Sequence, residues 1–412
     1  MKILYLIHQF YPEYYTGTER FVLNLATMMQ KSGHRVKVLA YSFYKDFFYD
    51  QMSGNLCFKE FSYQGIPVLA FKYKHIPEDI HSSLENRDLS QIVKNIVRRE
   101  KPDLVHVAHA MRVGEFVTAL PSLGVPYIVT LTDFFLICPK YTLYTSHNTL
   151  CHGPDGGRAC MDLCPEFQHD FITKRLKTAR NVLFNAKAVV SPSKFLSIMM
   201  KQEFPDLRIQ IINYGMRYST IKKNTRKYSM GDEIVFCYAG SLNHHKGVHI
   251  LVEAFKNVIS NHAVLNIYGS GADQDYVSKL IAMAEGDSRI RFCGVFPGEK
   301  VGEILAGTDV VILPSIWYEN TPLVLREALA CSVPVISSDV GGMAENINNG
   351  VNSLVFRTGD SQHLKEVLQT VTDNPEILER MKKTLSRATF PTVEQEAYAY
   401  DGLYGRVLNG SY

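Results

Sequence analysis

Short apolar, β-branched runs alternate with helix-length amphipathic segments along the whole chain, and this alternation limits the fold more than any other feature. In the first half the predicted strands are Lys2–His8, Val36–Ala40, Leu104–Val107, Tyr127–Leu131, Ala188–Ser191 and Ile209–Ile212. In the second half they are Ile234–Ala239, Val264–Tyr268, Ile290–Cys293, Asp309–Leu313, Val333–Ile336 and Ser353–Val355. Strands spaced by helices give parallel sheets covered on both faces. Two such sets in 412 residues predict an α/β protein of two doubly wound, Rossmann-like domains facing across a cleft. The boundaries are set at 1–213 and 214–391, with the junction near Asn213-Tyr214-Gly215 and the polar stretch Tyr218–Asp232 after it. A tail over 392–412 has helical spacing at Tyr398, Tyr400, Leu403, Tyr404 and Val407.

Composition narrows the function classes. The chain is 46% apolar and 21% charged, as in a soluble globular protein. Net charge is +3, unevenly spread: residues 1–212 carry 25 Lys/Arg against 19 Asp/Glu, and residues 213–412 carry 19 against 22. The stretch Phe171–Lys194 holds Lys174, Arg175, Lys177, Arg180, Lys187 and Lys194 without an acid. It reads either as a solvated helix face or as a surface for an anionic membrane or a phosphate-bearing acceptor. The apolar start Ile3–Ile7 is too short for a signal peptide, and no run approaches the roughly 20 apolar residues of a membrane span. A cytoplasmic protein is expected, with peripheral contact at the inner face of the membrane and no nucleic-acid partner.

The segment Glu319-Asn-Thr-Pro-Leu-Val-Leu-Arg-Glu327 sets two carboxylates across a helix start, just after the buried strand ending at Leu313. Thr321 suits the N-cap and Pro322 the first helical position. Amides at such a start attract phosphate, and the two acids accept hydrogen bonds from hydroxyls. A capped surface helix with incidental acids is the bland alternative.

Together with Gly240-Ser-Leu-Asn-His-His-Lys246-Gly247 before it and Asp339-Val-Gly-Gly-Met-Ala-Glu345 after it, this segment resembles the retaining glycosyltransferases of family 4. The first strand, the loop Thr16-Gly17-Thr18-Glu19 and the helix closing at Gly33-His34-Arg35-Val36 agree. The resemblance implies a GT-B fold whose last helix crosses back onto the first domain. It implies transfer of a hexose-type sugar from a UDP- or GDP-linked donor, without a catalytic metal, to a hydroxyl of a glycan or lipid-linked acceptor in cell-surface polysaccharide biosynthesis. The alternatives are a nucleotide-sugar epimerase of the same fold and a catalytically silent nucleotide-sugar-binding protein.

Carried onto this chain, Lys246 would neutralise the diphosphate, Glu319 hold sugar hydroxyls and Glu327 the ribose. The backbone of Asn320, Thr321, Leu323 and Val324 would face the phosphates. Gly240, Ser241, Gly269, Gly271 and Phe296 would border the nucleoside, and Gly17 and Thr18 the diphosphate. Many relatives have arginine where this chain has Ser241, and histidine where it has Thr132. Asp133 and His109, both at strand ends, are the remaining acceptor-side candidates. The Asp273-x-Asp275 pair opens a helix after Gly271 and is assigned to capping rather than to a metal.

The eight cysteines fall into a group of three, a group of four and one apart. Cys237, Cys293 and Cys331 adjoin apolar segments and read as core residues, while Cys57 stands alone. Cys138, Cys151, Cys160 and Cys164 share a loop over 138–164 rich in Gly and Pro. Four thiolates in 27 residues suit a structural zinc or an iron–sulfur cluster, against a null of unmetallated loop cysteines.

Overall fold

The computed structural model describes residues 1–85, 89–217, 221–229 and 231–411. They form two compact units, Met1–Gly215 together with Val393–Tyr412, and Met216–Thr392. Of the predicted junction, residues 218–220 and 230 lie outside the described residues, as does Tyr412 in the tail.

The first unit carries a nine-stranded sheet. Its strands are β1 (Lys2–Ile7), β2 (Arg35–Tyr41), β3 (Gln51–Ser53), β4 (Leu56–Tyr63), β5 (Ile66–Tyr73), β6 (Leu104–Val107), β7 (Tyr127–Thr130), β8 (Ala188–Ser191) and β9 (Gln210–Ile211). The order is β3-β4-β5-β2-β1-β6-β7-β8-β9, parallel except where β4 meets β3 and β5. The antiparallel β4–β5 hairpin turns at Gln64 and Gly65, both at positive φ (49° and 80°), as a tight hairpin turn demands. Sequence reasoning missed this hairpin because it sought strands separated by helices. β6, β7 and β8 are buried on both faces, which is why their sequences are continuous apolar runs.

The second unit carries six parallel strands in the order β12-β11-β10-β13-β14-β15. They are β10 (Ile234–Ala239), β11 (Ala263–Tyr268), β12 (Ile290–Gly294), β13 (Val310–Leu313), β14 (Val335–Ser338) and β15 (Ser353–Phe356). Phe236, Leu265, Ile312 and Phe356 pack in one core with Phe255 and Leu364 from the covering helices. Cys237 and Cys331 are buried as expected, whereas Cys293 is exposed. It lies on β12, the edge strand, where one flank has no neighbour to cover it.

Both sheets have a point where successive connections depart in opposite directions, and there the loops part to leave a crevice at the carboxyl ends of the strands. In the first unit it lies between β1 and β6, and in the second between β10 and β13. The helix Val393–Leu408 belongs to the first unit and packs on the helix Gly17–Lys31. The residues after the junction are not loose. Arg226 and Tyr228 bond to Asp309 at 2.8 and 2.6 Å, and Asn224 Nδ2 donates to Thr308 O at 2.7 Å.

Candidate functional site

The second unit's crevice gathers Lys246, from the turn after β10, and Ser315 to Glu319, from the loop after β13. Lys246 Nζ donates to Glu319 Oε1 at 2.6 Å; Ser315 Oγ and Trp317 Nε1 reach the same oxygen at 2.8 and 2.9 Å. The ammonium also lies 4.7 Å from the centre of the Trp317 ring. Burial alone would raise the Glu319 pKa, but the Lys246 charge and the three hydrogen bonds outweigh it and hold the carboxyl below its ordinary range. The neighbouring His245 ring lies 4.6 Å from the Trp317 ring at a 60° tilt, and burial together with the Lys246 charge lowers its pKa to about 4. Two sequence-predicted residues 73 positions apart are thus in direct contact.

Backbone constraints explain the glycines around this pair. Gly247 has φ +70°, and a Cβ there would lie 1.9 Å from Pro314 O, so only glycine lets the Lys246 turn approach the end of β13. A Cβ on Gly342 would lie 2.0 Å from Asn320 O; the Gly342 N–H instead donates to Glu319 O at 2.6 Å. The Asp339–Glu345 segment therefore acts as a backbone platform under the Glu319 loop.

The helix after that loop runs Leu323–Ala330, with Pro322 at the N-cap position and no side-chain cap. Thr321 does not cap it as expected; its hydroxyl donates to Asn320 O at 2.8 Å. The Pro322 backbone is extended (ψ 126°), which delays the helix by one residue. Leu323 and Val324 open the helix, and Glu327 is buried within it. Gly240, Ser241, Gly269 and Gly271 lie at the carboxyl ends of β10 and β11, with Phe296 5.3 Å from Tyr268 beyond β12. Asp273 caps the next helix by accepting from Tyr276 N at 3.0 Å, as its sequence position implied.

In the first unit, the crevice between β1 and β6 holds His8, His109 and Asp133. The Met111 N–H donates to His109 Nδ1 at 3.1 Å, which leaves Nε2 to carry the ring proton and donate to Asp133 Oδ2 at 2.7 Å. Asp133 Oδ1 accepts from Phe135 N at 2.8 Å. The His8 and His109 rings lie 4.1 Å apart, and His8 Nε2 is 3.4 Å from Glu19 Oε1. Burial, reinforced by the nearby Arg112 charge, pushes the His8 pKa well down. The Thr132 hydroxyl donates to Ala108 O at 3.2 Å and ties the ends of β6 and β7 together. Gly17 and Thr18 open the helix Gly17–Lys31 in this unit, with Thr16 Oγ1 donating to Glu19 Oε2 at 2.5 Å.

Sequence reasoning missed Trp317, Glu19, His8 and Arg112. Trp317 had a signal, being the chain's sole tryptophan two residues before Glu319. Thr16-x-x-Glu19 had the capping-box spacing. Arg112 had none: it sits at φ 61° with its Nη1 bonded to Gln9 Oε1 at 2.9 Å, a contact set by the sheet order.

The basic stretch Phe171–Lys194 is altered by the fold. Arg175 is buried with 4% of its surface exposed, and Lys174 pairs with Glu85 at 3.1 Å. Lys177, Arg180, Lys187 and Lys194 remain exposed. Among the described residues no helix is long and apolar enough to cross a membrane.

The four loop cysteines are brought to the walls of one small cavity, with Leu143, Pro154 and Phe167 among the other lining residues. Among the described residues no group of three or more His, Cys, Asp or Glu side chains stands ready to hold a metal ion. Burial pushes the Cys138 thiol up to about 11 and the Cys160 thiol up to about 12.

Residues 15–217 match the family described as Glycosyltransferase Family 4, and residues 220–387 the family described as Glycosyl transferases group 1. An uncharacterised glycosyltransferase of Methanocaldococcus jannaschii is 34% identical over 124 residues, which is 30% of this chain and 32% of that protein. A second from the same organism is 25% identical over 72% of this chain and 71% of its own length. The crystal structure of Anabaena HepE in complex with UDP and glucose matches the fold with a TM-score of 0.69 at 19% identity, covering 98% of this chain and 99% of that one.

Proposed function

The chain belongs to the family-4-type glycosyltransferases of GT-B fold, and from that premise we propose that it moves a hexose-type sugar from a UDP- or GDP-linked donor to a hydroxyl of a glycan or lipid-linked acceptor, with anomeric configuration retained. The observation that carries this reading is the Lys246–Glu319 contact beside the start of the helix Leu323–Ala330. Breaking the bond to a nucleoside diphosphate leaves negative charge on the leaving group, and a preorganised cation with helix-start amides is what stabilises it. In this assignment Lys246 and the backbone of Asn320, Thr321, Leu323 and Val324 take the diphosphate. Glu319 meets sugar hydroxyls, releasing Lys246 to the phosphate when donor enters. Glu327 meets the ribose. Gly240, Ser241, Gly269, Gly271 and Phe296 border the nucleoside.

On the acceptor side the assigned residues are His109 and Asp133. The Asp133 carboxylate is oriented by two donors, His109 Nε2–H and Phe135 N–H, and can accept the acceptor hydroxyl's hydrogen bond. Chemistry needs no catalytic divalent cation in this scheme, because Lys246 and the helix start supply the positive field. Supporting the donor class, the solved neighbour HepE carries UDP and glucose in its crystal structure. The setting proposed is cell-surface polysaccharide synthesis at the cytoplasmic face of a membrane.

Incubating the protein with UDP- and GDP-sugars and a lipid-linked glycan, without added magnesium or manganese, tests the reading. Free nucleoside diphosphate and a glycosylated acceptor are expected, with the donor's anomeric configuration kept in the product by proton NMR. An isomerised donor, or tight binding without turnover, would overturn it.

A further inference from the structure

The 138–164 loop is held by little that the sequence would recognise as a core. Among the described residues, the buried apolar cluster around Cys160 comprises Ile172 and Leu176 besides the cysteine, with half-buried Phe167 and Phe171 packed against it. Yet the loop adopts costly backbone: Tyr141, Leu143, Asn148 and Asp155 all have positive φ, four of the eight such non-glycine residues in the described chain. Four cysteines converge there. Cys151, Cys160 and Cys164 are buried, Cys138 is half-buried, and all four line the same cavity. None is in a disulfide. The Gly153 N–H points at Cys151 Sγ from 3.4 Å, and the Leu143 and Lys140 N–H groups point at Cys138 Sγ. Amides aimed at sulfur favour thiolate over thiol, while the contact of Cys151 Sγ with Gly153 O at 3.5 Å is one that the thiol donates.

A second observation comes from the neighbouring helix His169–Asn185. Arg175 is a buried guanidinium, and among the described residues no carboxylate lies within ion-pair distance of it. Its Nε donates to Ser82 O at 2.7 Å and its Nη2 to Phe135 O, but Nη1 is buried with no partner. Its electrostatic neighbours are Cys138, Asp133 and Cys160. A buried cation whose neighbouring carboxylate, Asp133, lies beyond ion-pair distance is only partly compensated. Negative charge on the cysteines would supply what is missing.

We propose that Cys138, Cys151, Cys160 and Cys164 bind one zinc-class divalent cation as four thiolates, a structural site charge-balanced by Arg175. A divalent ion with four thiolates carries two net negative charges, and the buried guanidinium offsets one of them. The sulfurs surround the cavity without yet forming a ligand group, so the cation draws them inward to Zn–S distances of about 2.3 Å. Four protons leave as the thiols bind, and no redox step is involved. The consequence reaches the acceptor side of the site. Arg175 holds the Phe135 carbonyl, and Phe135 N holds Asp133, so the ion fixes the wall on which Asp133 sits.

The full-length chain, purified under reducing conditions in metal-defined medium and supplied with zinc, is the material for the test. Elemental analysis should give about one zinc per chain, and cobalt substitution should give the absorption of a tetrahedral tetrathiolate site. Removing the ion with a chelator should expose four further cysteines to a thiol reagent, beyond those that react in the zinc-loaded protein and apart from the buried Cys237 and Cys331. Cys160→Ser should lose at least nine-tenths of the zinc while Cys237→Ser keeps it. Should Cys160→Ser fail to fold, Arg175→Gln leaves every thiol in place and should release zinc to a chelator at least tenfold faster. A metal-free protein after reconstitution, iron with acid-labile sulfide, or two disulfides among these four cysteines would each overturn the proposal.

Discussion

At the scale of single residues, the Lys246–Glu319 contact makes two distinct predictions. Lys246→Ala removes a preorganised charge from the donor site, a change that typically costs about 2.7–4 kcal/mol of transition-state stabilisation. Turnover should fall by roughly two to three orders of magnitude in a donor-consumption assay. A rate within a factor of about two of the parent would show that Lys246 does not meet the leaving group. The second prediction concerns pH. Folding holds the Glu319 carboxyl below its unfolded pKa of about 4.3. Its contribution to stability is therefore complete above that value and is lost as pH falls through the folded pKa. Urea unfolding should place Glu319→Gln below the parent near neutral pH, with a gap that narrows in acid. A gap that widens in acid would mean the carboxyl is protonated in the folded protein.

At the scale of elements, the returning helix Val393–Leu408 is fastened to the first sheet by a buried polar chain. His106 on β6 meets Tyr404 OH through Nδ1 at 2.7 Å and Thr130 Oγ1 through Nε2 at 2.8 Å, and Tyr400 OH meets Thr130 Oγ1 at 2.9 Å. The helix is thus specified by hydrogen bonds as well as by its apolar face. Tyr404→Phe would leave a buried ring nitrogen without its partner, at a cost of about 1–3 kcal/mol. The variant should melt several degrees below the parent by circular dichroism; an unchanged melting temperature would show that the chain of hydroxyls is dispensable. Burial also lowers the His106 pKa to about 3, so the folded protein keeps the ring neutral while the unfolded chain protonates near pH 6.5. This stabilisation is full above pH 6.5 and declines as pH falls towards the folded value.

For the whole molecule, the uneven charge is the feature with a consequence. The first 212 residues hold 25 Lys/Arg against 19 Asp/Glu. Arg175 is buried and Lys174, though exposed, is paired with Glu85; Lys177, Arg180, Lys187 and Lys194 are also exposed in the Phe171–Lys194 stretch. An attraction of this size acts within a Debye length of about 10 Å at 0.1 M salt. Co-sedimentation with anionic vesicles at low salt, weakening towards 0.1 M and absent with neutral vesicles, is the expected outcome. Equal pelleting with both vesicle types, or with neither, would leave this stretch as an ordinary solvated helix face.

What the sequence determined by itself was the local grammar of the helix-flanked strands, β3, β4 and β5 excepted: which segments they are, about where each ends, and which glycines and acids follow those ends. Period and burial act between near neighbours, so the β10–Lys246 and β13–Glu319 segments were legible one at a time. The Glu319–Lys246 bond, the His8–His109–Asp133 contacts and the return of Tyr404 to His106 were decided by tertiary structure. Each joins residues whose adjacency depends on strand order, and the order β2-β1-β6 or β11-β10-β13 is not written in any local period. The same holds for Arg175. Its sequence neighbours are basic and amphipathic, and periodicity placed it with them on a surface. Only the packing of its helix against the loop after β7 turned that one cation inward, where the carbonyls of Ser82 and Phe135 replace part of its lost hydration.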